Sequence, residues 1–416
     1  MIRFHLPPAL THRKYLYLWL GLLISVAGSN MQFAAIHWHI RELTGEPDPL
    51  ALGGIGLARI LPVIVFSIIG GTVADNYNRR RIMFITQSIA AVQAAALAYF
   101  TFIGQITIWH IYALTAIQAA TMAFDLPARQ ALVPNLVSRE HLPSAFSMGT
   151  IAFNTGAILG PLLFGIVPEG GQGIAYLFNS FSFLAVILAL ILMGNVEQDT
   201  LRGSGVNLRA MADGVRFIFN RPLILSTMLM DFIATFFASA NTMLPIVARD
   251  ILNVGKTGYA WLTSAQAIGS VLAGMVVSQV RELRRQGPIF LLSVVVFGLA
   301  TIAFGLSTTF ALAMIALLLI GAGDAVSTVI RNTIRQLQTP DHIRGRMTSV
   351  NQIFFMGGPQ LGEVEAGVVA SLFGVPFAIV SGGVGCILGM FLIVWKWPQL
   401  VSYNGDEHAL VPSPAD

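Results

Sequence analysis

Charge is what this chain has least of. Asp, Glu, Lys and Arg together make up 11% of its 416 residues, where a soluble domain carries about 25%. Cysteine is nearly absent: Cys386 is alone, so an internal disulfide is excluded, and its apolar surroundings mark it as packing. No Gly-rich loop ending in Lys-Ser/Thr occurs, which argues against direct use of ATP. No Cys/His spacing suggests a metal, and no nucleophile constellation suggests an enzyme. No cofactor is expected. The net charge of +4 does not form one basic patch, so nucleic acid is not an expected partner. What the chain does have is apolar length. Hydrophobic residues reach 55% and mean hydropathy is +0.73. Ile82 to Phe124 and Gln286 to Gly323 contain no Asp, Glu, Lys or Arg. A helix rising 1.5 Å per residue needs about 20 apolar residues to cross a bilayer core. Each stretch is long enough for two crossings.

The pattern predicts an all-α polytopic membrane protein with twelve transmembrane helices near 15–40, 50–74, 82–104, 108–127, 144–167, 172–194, 222–248, 258–280, 287–307, 310–334, 346–370 and 374–396. With the N-terminus inside, 20 basic residues fall on the cytoplasmic side and three outside (Arg41, Arg249 and Lys256), with Arg59 mid-span. That asymmetry satisfies the positive-inside rule and puts both termini in the cytoplasm. Met1 to Lys14 lack the apolar core and small-residue site of a cleaved signal peptide, so the first span is expected to do the targeting. The expected location is a bacterial cytoplasmic (inner) membrane. The hydrophilic stretch Asn195–Arg221 divides the spans six and six, giving bundles over 1–194 and 222–416 around a linker at 195–221. Within it, Leu208 to Phe219 reads as a short amphipathic helix; a structured linker is the favoured reading, compatible with a helix lying on the inner leaflet.

The halves repeat. A shift of 202 residues lays Arg129-Gln130 on Arg331-Asn332, Gly156 on Gly358, Gly160 on Gly362 and Gly165 on Gly367. Small residues at such spacing let helices approach closely. Two pseudo-symmetric six-helix bundles joined by a cytoplasmic linker form the layout of transporters whose bundles rock about a central site.

The loop after the second span reads Gly71-Thr-Val-Ala-Asp75-Asn76-Tyr77-Asn78-Arg79-Arg80-Arg81. It resembles the loop signature of the major facilitator superfamily, with Gly71, Asp75, Arg79 and Arg80 matching. Asn76 replaces the first basic residue and Asn78 the second Gly, where a left-handed turn is expected to survive. The resemblance implies that Asp75, Arg79 and Arg80 gate the cytoplasmic side. The competing reading is that the Arg cluster only fixes topology. Gly156, Gly160-Pro161 and Gly165 resemble in part the superfamily's antiporter signature, which marks exchangers; ordinary close packing is the alternative. Within the superfamily the chain is similar to the bacterial enterobactin-exporter and macrolide-efflux group. The carrying residues include Glu42-Leu-Thr-Gly, Arg59-Ile-Leu-Pro62, Asp125-Leu-Pro-Ala-Arg129-Gln and Arg344-Gly345-Arg346-Met347. The fourth span lacks the mid-helix Arg of many drug–proton exchangers.

An ionisable group at mid-bilayer costs about 2.5–3.5 kcal/mol on insertion scales, so each needs a partner or a task. Glu363, Asp231, Asp324 and Arg59 are the proton-coupling candidates, and Glu363 stands at the repeat equivalent of Pro161. A static Arg59–Glu363 ion pair is the structural alternative. Asp125 and Arg129, one turn apart, read as a gating or structural pair. On the first span, Asn30, Phe33 and His37 share one face, while Gln32 and His39 share another about 160° round. The face with Asn30 and His37 is favoured for substrate. Gln32 is the weaker candidate, and inter-helix hydrogen bonds are an equal reading for Asn30 and Gln32; Phe153, Asn154, Phe354 and Phe355 offer an aromatic wall, with plain packing the favoured alternative.

The function expected is secondary active transport: proton-coupled export of a bulky small molecule, such as a siderophore or drug, by alternating access. An importer or facilitator of a nutrient shares the fold, and a non-transporting partner-recruiting membrane protein is the alternative of another class. Expected partners are the small-molecule substrate, protons and the lipid bilayer. A monomer is expected.

Overall fold

The computed structural model describes residues 7–198, 215–280 and 284–405, without the side chains at 68, 75, 240, 341–346, 348–350, 352 and 353. Among the described residues all regular structure is helical. Six long helices come first: α1 (Arg13–Leu43), α2 (Pro49–Asn76), α3 (Arg79–Phe102), α4 (Ile108–Leu132), α5 (Leu142–Ile166) and α6 (Gln172–Leu192). Six more follow: α7 (Pro222–Phe237), α8 (Gly255–Ser278), α9 (Gln286–Gly305), α10 (Phe310–Gln338), α11 (Asp341–Phe373) and α12 (Val375–Lys396). Ten of the spans are apolar enough to cross a membrane by length and composition. The two remaining, α4 and α11, are long enough but interrupted by Gln118 and Asp125 in one and by Gln360, Glu363 and Glu365 in the other. Large apolar side chains such as Val92, Ile166 and Trp395 lie on the outside of the helices. That is the surface a bilayer requires.

Local chemistry sets the helix ends. Asp48 caps α2 by accepting from the Ala51 N–H at 3.0 Å, with Pro49 at the first position. Thr107 and His110 form a reciprocal capping box on α4. Asn78 does the same work for α3, accepting from the Arg81 N–H at 3.1 Å. This corrects the expected left-handed turn: Asn78 sits at φ −63° and ψ 110°, because its side-chain oxygen is wanted for an otherwise unpaired helix N–H.

The seventh span is also corrected, from one helix over 222–248 to a broken one. α7 stops at Phe237, a 3₁₀ turn covers Ala240–Met243, and a π turn follows at Val247–Ile251. Pro245 cannot donate to the preceding turn and crowds its carbonyl. The Ser239 hydroxyl donates to Thr235 O at 2.7 Å and to Pro359 O at 3.0 Å near the break. The amphipathic segment expected over 208–219 lies, for 208–214, outside the described residues; 215–219 is helical.

The helices group into two compact units, Met1–Val206 with Val254–Ser264, and Asn207–Asn253 with Ala265–Asp416. In the first, α1 packs on α5 and α6, α2 on α4, and α3 on α4 and α6. In the second, α7 packs on α11 and α12, and α9 on α10 and α12. These are the same pairings six helices later, so the internal repeat is a repeat of contacts. Glycine makes the equivalent approaches possible. A Cβ on Gly160 would stand 2.6 Å from Ala27 O, and one on Gly362 would stand 2.2 Å from Phe236 O. α2 and α4 meet where Gly70 faces Ala123 O, and α8 and α10 meet where Gly269 faces Leu318 O.

Candidate functional site

In the first unit the two faces of α1 do different work. Gln32 is fully buried. It accepts from the Asn179 amide of α6 at 2.9 Å and donates to Gln118 Oε1 of α4 at 3.1 Å, with Gln93 Oε1 of α3 at 3.4 Å. His39, on the same face, meets the Tyr176 hydroxyl at 3.0 Å. This face of α1 therefore closes the interior of its own bundle with a neutral amide network. The opposite face carries the other candidates. Asn30 donates to Val26 O on its own helix at 2.8 Å and lies beside Gly160 of α5. Phe33 and His37 are in tilted contact with ring centroids 4.3 Å apart, and the Arg59 guanidinium of α2 lies 5.1 Å from the Phe33 centroid. The His37 Nδ1 lies 2.9 Å from Phe33 O. A carbonyl only accepts, so Nδ1 carries the proton and donates. Nε2 is buried without a partner. Phe33 and His37 thus stand together as their spacing suggested, Arg59 joins them, which the sequence did not suggest, and Gln32 stands apart from them.

Asn154 is half-buried, and Phe355, in the second unit, is exposed. Gly156 and Gly160 are contact points for α1, whereas Gly165 meets Ala260 of α8. Pro161 is buried inside α5. The segment Val254–Ser264 is tied to its unit by the side chains of Lys256, Thr257, Tyr259 and Ser264. Lys256 Nζ donates to Pro168 O at 2.6 Å and lies 5.3 Å from the Phe164 ring, Tyr259 donates to Ala34 O at 3.1 Å, and Ser264 donates to Ile158 O at 2.9 Å. Sequence reasoning placed Lys256 in an exterior loop and missed that it is buried.

Around the loop between α2 and α3, Arg79 donates to Asn135 Oδ1 at 3.1 Å and Ala74 O at 3.3 Å, and Arg80 to Leu190 O at 2.7 Å. Both arginines tie helix ends together through carbonyl oxygens, which suits a cation near a helix C-terminus. Gly71 is inside α2 with open space where a Cβ would stand. The Asp75 side chain lies outside the described residues. Asp125 is buried and accepts from Thr86 at 2.8 Å and Gln87 at 2.9 Å, both on α3. The expected Asp125–Arg129 pair is therefore corrected: the carboxylate turns across to α3 instead of along its own helix to Arg129.

The second unit gathers its charges. Arg331 of α10 is buried, bonds Asp231 Oδ1 of α7, and has Asp324 Oδ1 at 3.6 Å and Thr328 Oγ1 at 2.6 Å. Arg335, one turn on, bonds Arg331 O at 3.1 Å, Asn332 Oδ1 at 2.7 Å and Asn351 of α11. Glu363 is buried on α11. Sequence reasoning held Asp231 and Asp324 as separate candidates and counted Arg331 among the topology-setting cations. One signal could have joined them: Asp324 and Arg331 are seven residues apart on one helix, hence on one face.

A family model described as transmembrane secretion effector matches residues 6–414. The chain belongs to this family of the major facilitator superfamily. Among its curated relatives are the enterobactin exporter EntS of Citrobacter koseri, 24% identical over 396 residues and 92% of each chain. Another is the multidrug efflux pump Tap of Mycolicibacterium fortuitum, 23% identical over 364 residues, 85% of this chain and 88% of that one. Solved structures share its fold. They include a POT family transporter in complex with 5-aminolevulinic acid, with a TM-score of 0.76, 11% identity and coverage of 93% and 96%. The nucleoside transporter NupG has a TM-score of 0.72, 13% identity and coverage of 94% and 99%. As a member of this superfamily the chain is a multi-pass membrane transporter and not an enzyme.

Proposed function

We propose that this chain is a proton-coupled exporter of a bulky small molecule, of siderophore or drug character, working by alternating access in a bacterial inner membrane. The observation that carries the reading is the match of nearly the whole chain to the transmembrane secretion effector family, with relatives named as an enterobactin exporter and a multidrug efflux pump. The site chemistry supports it. Arg59, Phe33 and His37 offer a cation, an aromatic face and an imidazole acceptor on two adjacent helices, which suits an aromatic or amphipathic molecule with polar edges. Asn30, Asn154 and Phe355 are further substrate candidates, and Glu363, Asp231 and Asp324 the acids open to coupling. Gly71, Asp75, Arg79 and Arg80 are the proposed gate. The protein acts as a monomer, with both termini and the 195–221 segment cytoplasmic.

Inside-out vesicles test the direction. With an acid interior, ethidium or enterobactin should accumulate, and a protonophore should abolish the accumulation. Failure to accumulate either compound under an acid interior, with uptake into right-side-out vesicles instead, would reassign the chain as an importer. Reporter fusions at Gly205 and Asp416 should both score cytoplasmic; an external signal at either would reject the orientation.

A further inference from the structure

We infer that Asp231 is where this chain takes up a proton inside the membrane, and that Arg331 is the positioning residue that keeps a carboxylate partner throughout by sharing itself with Asp324. The inference rests on the proton-coupled reading above and names the site that performs it.

Asp231 is 2% exposed; its Oδ1 is held by Arg331, while its Oδ2 is buried with no hydrogen-bond partner. A buried acceptor without a donor is costly as long as it stays ionised. A proton on Oδ2 removes the unpaired negative charge and leaves a neutral hydroxyl, which is cheaper to bury. An isolated buried Asp–Arg pair could not use this route, because neutralising the acid leaves the guanidinium without a counter-ion, a loss comparable to breaking a buried ion pair. Here a second carboxylate stands ready. Asp324 Oδ1 is 3.6 Å from Arg331 Nη2, and its side chain is 48% accessible whereas that of Arg331 is 3%. Proton arrival at Asp231 forms an O–H bond at Oδ2 and weakens the Arg331–Asp231 attraction, and the guanidinium then rests on Asp324. When the proton leaves to water on the other side, Arg331 returns to Asp231. The proton enters from water and leaves to water, and no other bond is made or broken.

The charge balance fits. With both acids ionised, Asp231, Asp324, Arg331 and Arg335 sum to zero, and one proton makes them +1. The other charges come from the helices packed against α10. α7 has Asp231 as its one charged residue, and α9 has none from Gln286 to Gly305. α11 places Asn351 against Arg335, carries Asp341, His342, Arg344 and Arg346 in its first two turns and has Glu363 and Glu365 further along; α8 has Lys256 near its start, and α12 has only Lys396 at its end. Arg335 bonds the Arg331 carbonyl and two Asn side chains, so it holds Arg331 in place and leaves both acids to it.

The test reads protonation without needing the natural substrate. In the purified full-length protein, infrared difference titration should show a protonated-carboxyl C=O band growing as pH falls. The band should vanish in Asp231→Asn and move in frequency in Asp231→Glu, which guards against a variant that fails to fold. Arg331→Lys should keep the band at a displaced midpoint, which a merely structural cation would not do. A band that survives Asp231→Asn and disappears in Glu363→Gln overturns the inference, as does the absence of any titrating carboxyl in the folded protein. Ethidium uptake driven by an acid interior, measured on the same preparations, should fall about tenfold or more in Asp231→Asn. Wild-type uptake that needs the gradient but is indifferent to Asp231→Asn sinks the inference and spares the exporter reading. A wild type that shows the Asp231 band yet moves neither ethidium nor enterobactin supports the inference and sinks that reading.

Discussion

The two bundles share their helix contacts and differ in what they bury. In the first, the acid Asp125 is held by the neutral donors Thr86 and Gln87, and the centre is an amide network around Gln32. In the second, the acid Asp231 is held by Arg331, with Asp324 alongside. The repeat even supplies the same cation twice, since Arg129 and Arg331 are 202 residues apart. Only Arg331 ended in an acid's grip. The glycine approaches that build each bundle are preserved, at Gly160 and Gly362. The contacts are therefore alike in the two halves while the polar interior differs: in the first the buried Asp125 is held by neutral donors, and in the second the buried Asp231 is held by an arginine.

That contrast can be broken by substitution. Arg331→Met should be the most damaging single change, about 3–5 kcal/mol, because the buried Asp231 loses its cation. Adding Asp231→Asn to it should recover part of the loss, read as the unfolding midpoint in detergent. If Arg331→Met is no worse than Asp125→Asn, the contrast between an acid held by a cation and an acid held by neutral donors is wrong. Gln32→Leu comes next, at about 1–3 kcal/mol, since Asn179 and Gln118 would each lose a partner in the interior. A loss beyond that range would mean that the network reaches farther than these residues. Gly362→Val should cost about 1–3 kcal/mol by overpacking, with Gly160→Val similar. A large difference between the two would show that the equivalent approaches are not energetically equivalent. Asp125→Asn should cost about 1 kcal/mol, because the amide oxygen still accepts from Thr86 and Gln87. Gly71→Ala should lie within about 0.5 kcal/mol, its Cβ meeting open space; a transport defect in a stable Gly71→Ala protein would then report gating alone.

Much of the fold could be read from hydropathy because a bilayer admits few ways to satisfy a backbone. Charge-free runs and loop arginines located the spans, and the glycines at one offset located the repeat. The break after Phe237 could not be read that way, since hydropathy continues through it and only Pro245 hinted at an interruption. The pairing of side chains was harder still. Asp125 and Arg129 are one turn apart, and spacing alone favoured a pair, but Thr86 and Gln87 come from another helix and no local rule weighs them. His37 and Gln32 were correctly assigned to opposite faces. Which face looked inward to its own bundle depended on Asn179 and Tyr176, about 140 residues away in the chain.

The proposed coupling places the proton on Asp231, the acid held by an arginine, and not on Asp125, the acid held by neutral donors. The direct measurement is ethidium uptake into inside-out vesicles with and without an acid interior, for Asp231→Asn and Asp125→Asn side by side. The account predicts that the ratio of the two rates falls to near unity in Asp231→Asn, while whatever flux remains in Asp125→Asn still responds to the gradient. A gradient response kept by Asp231→Asn and lost in Asp125→Asn would contradict it.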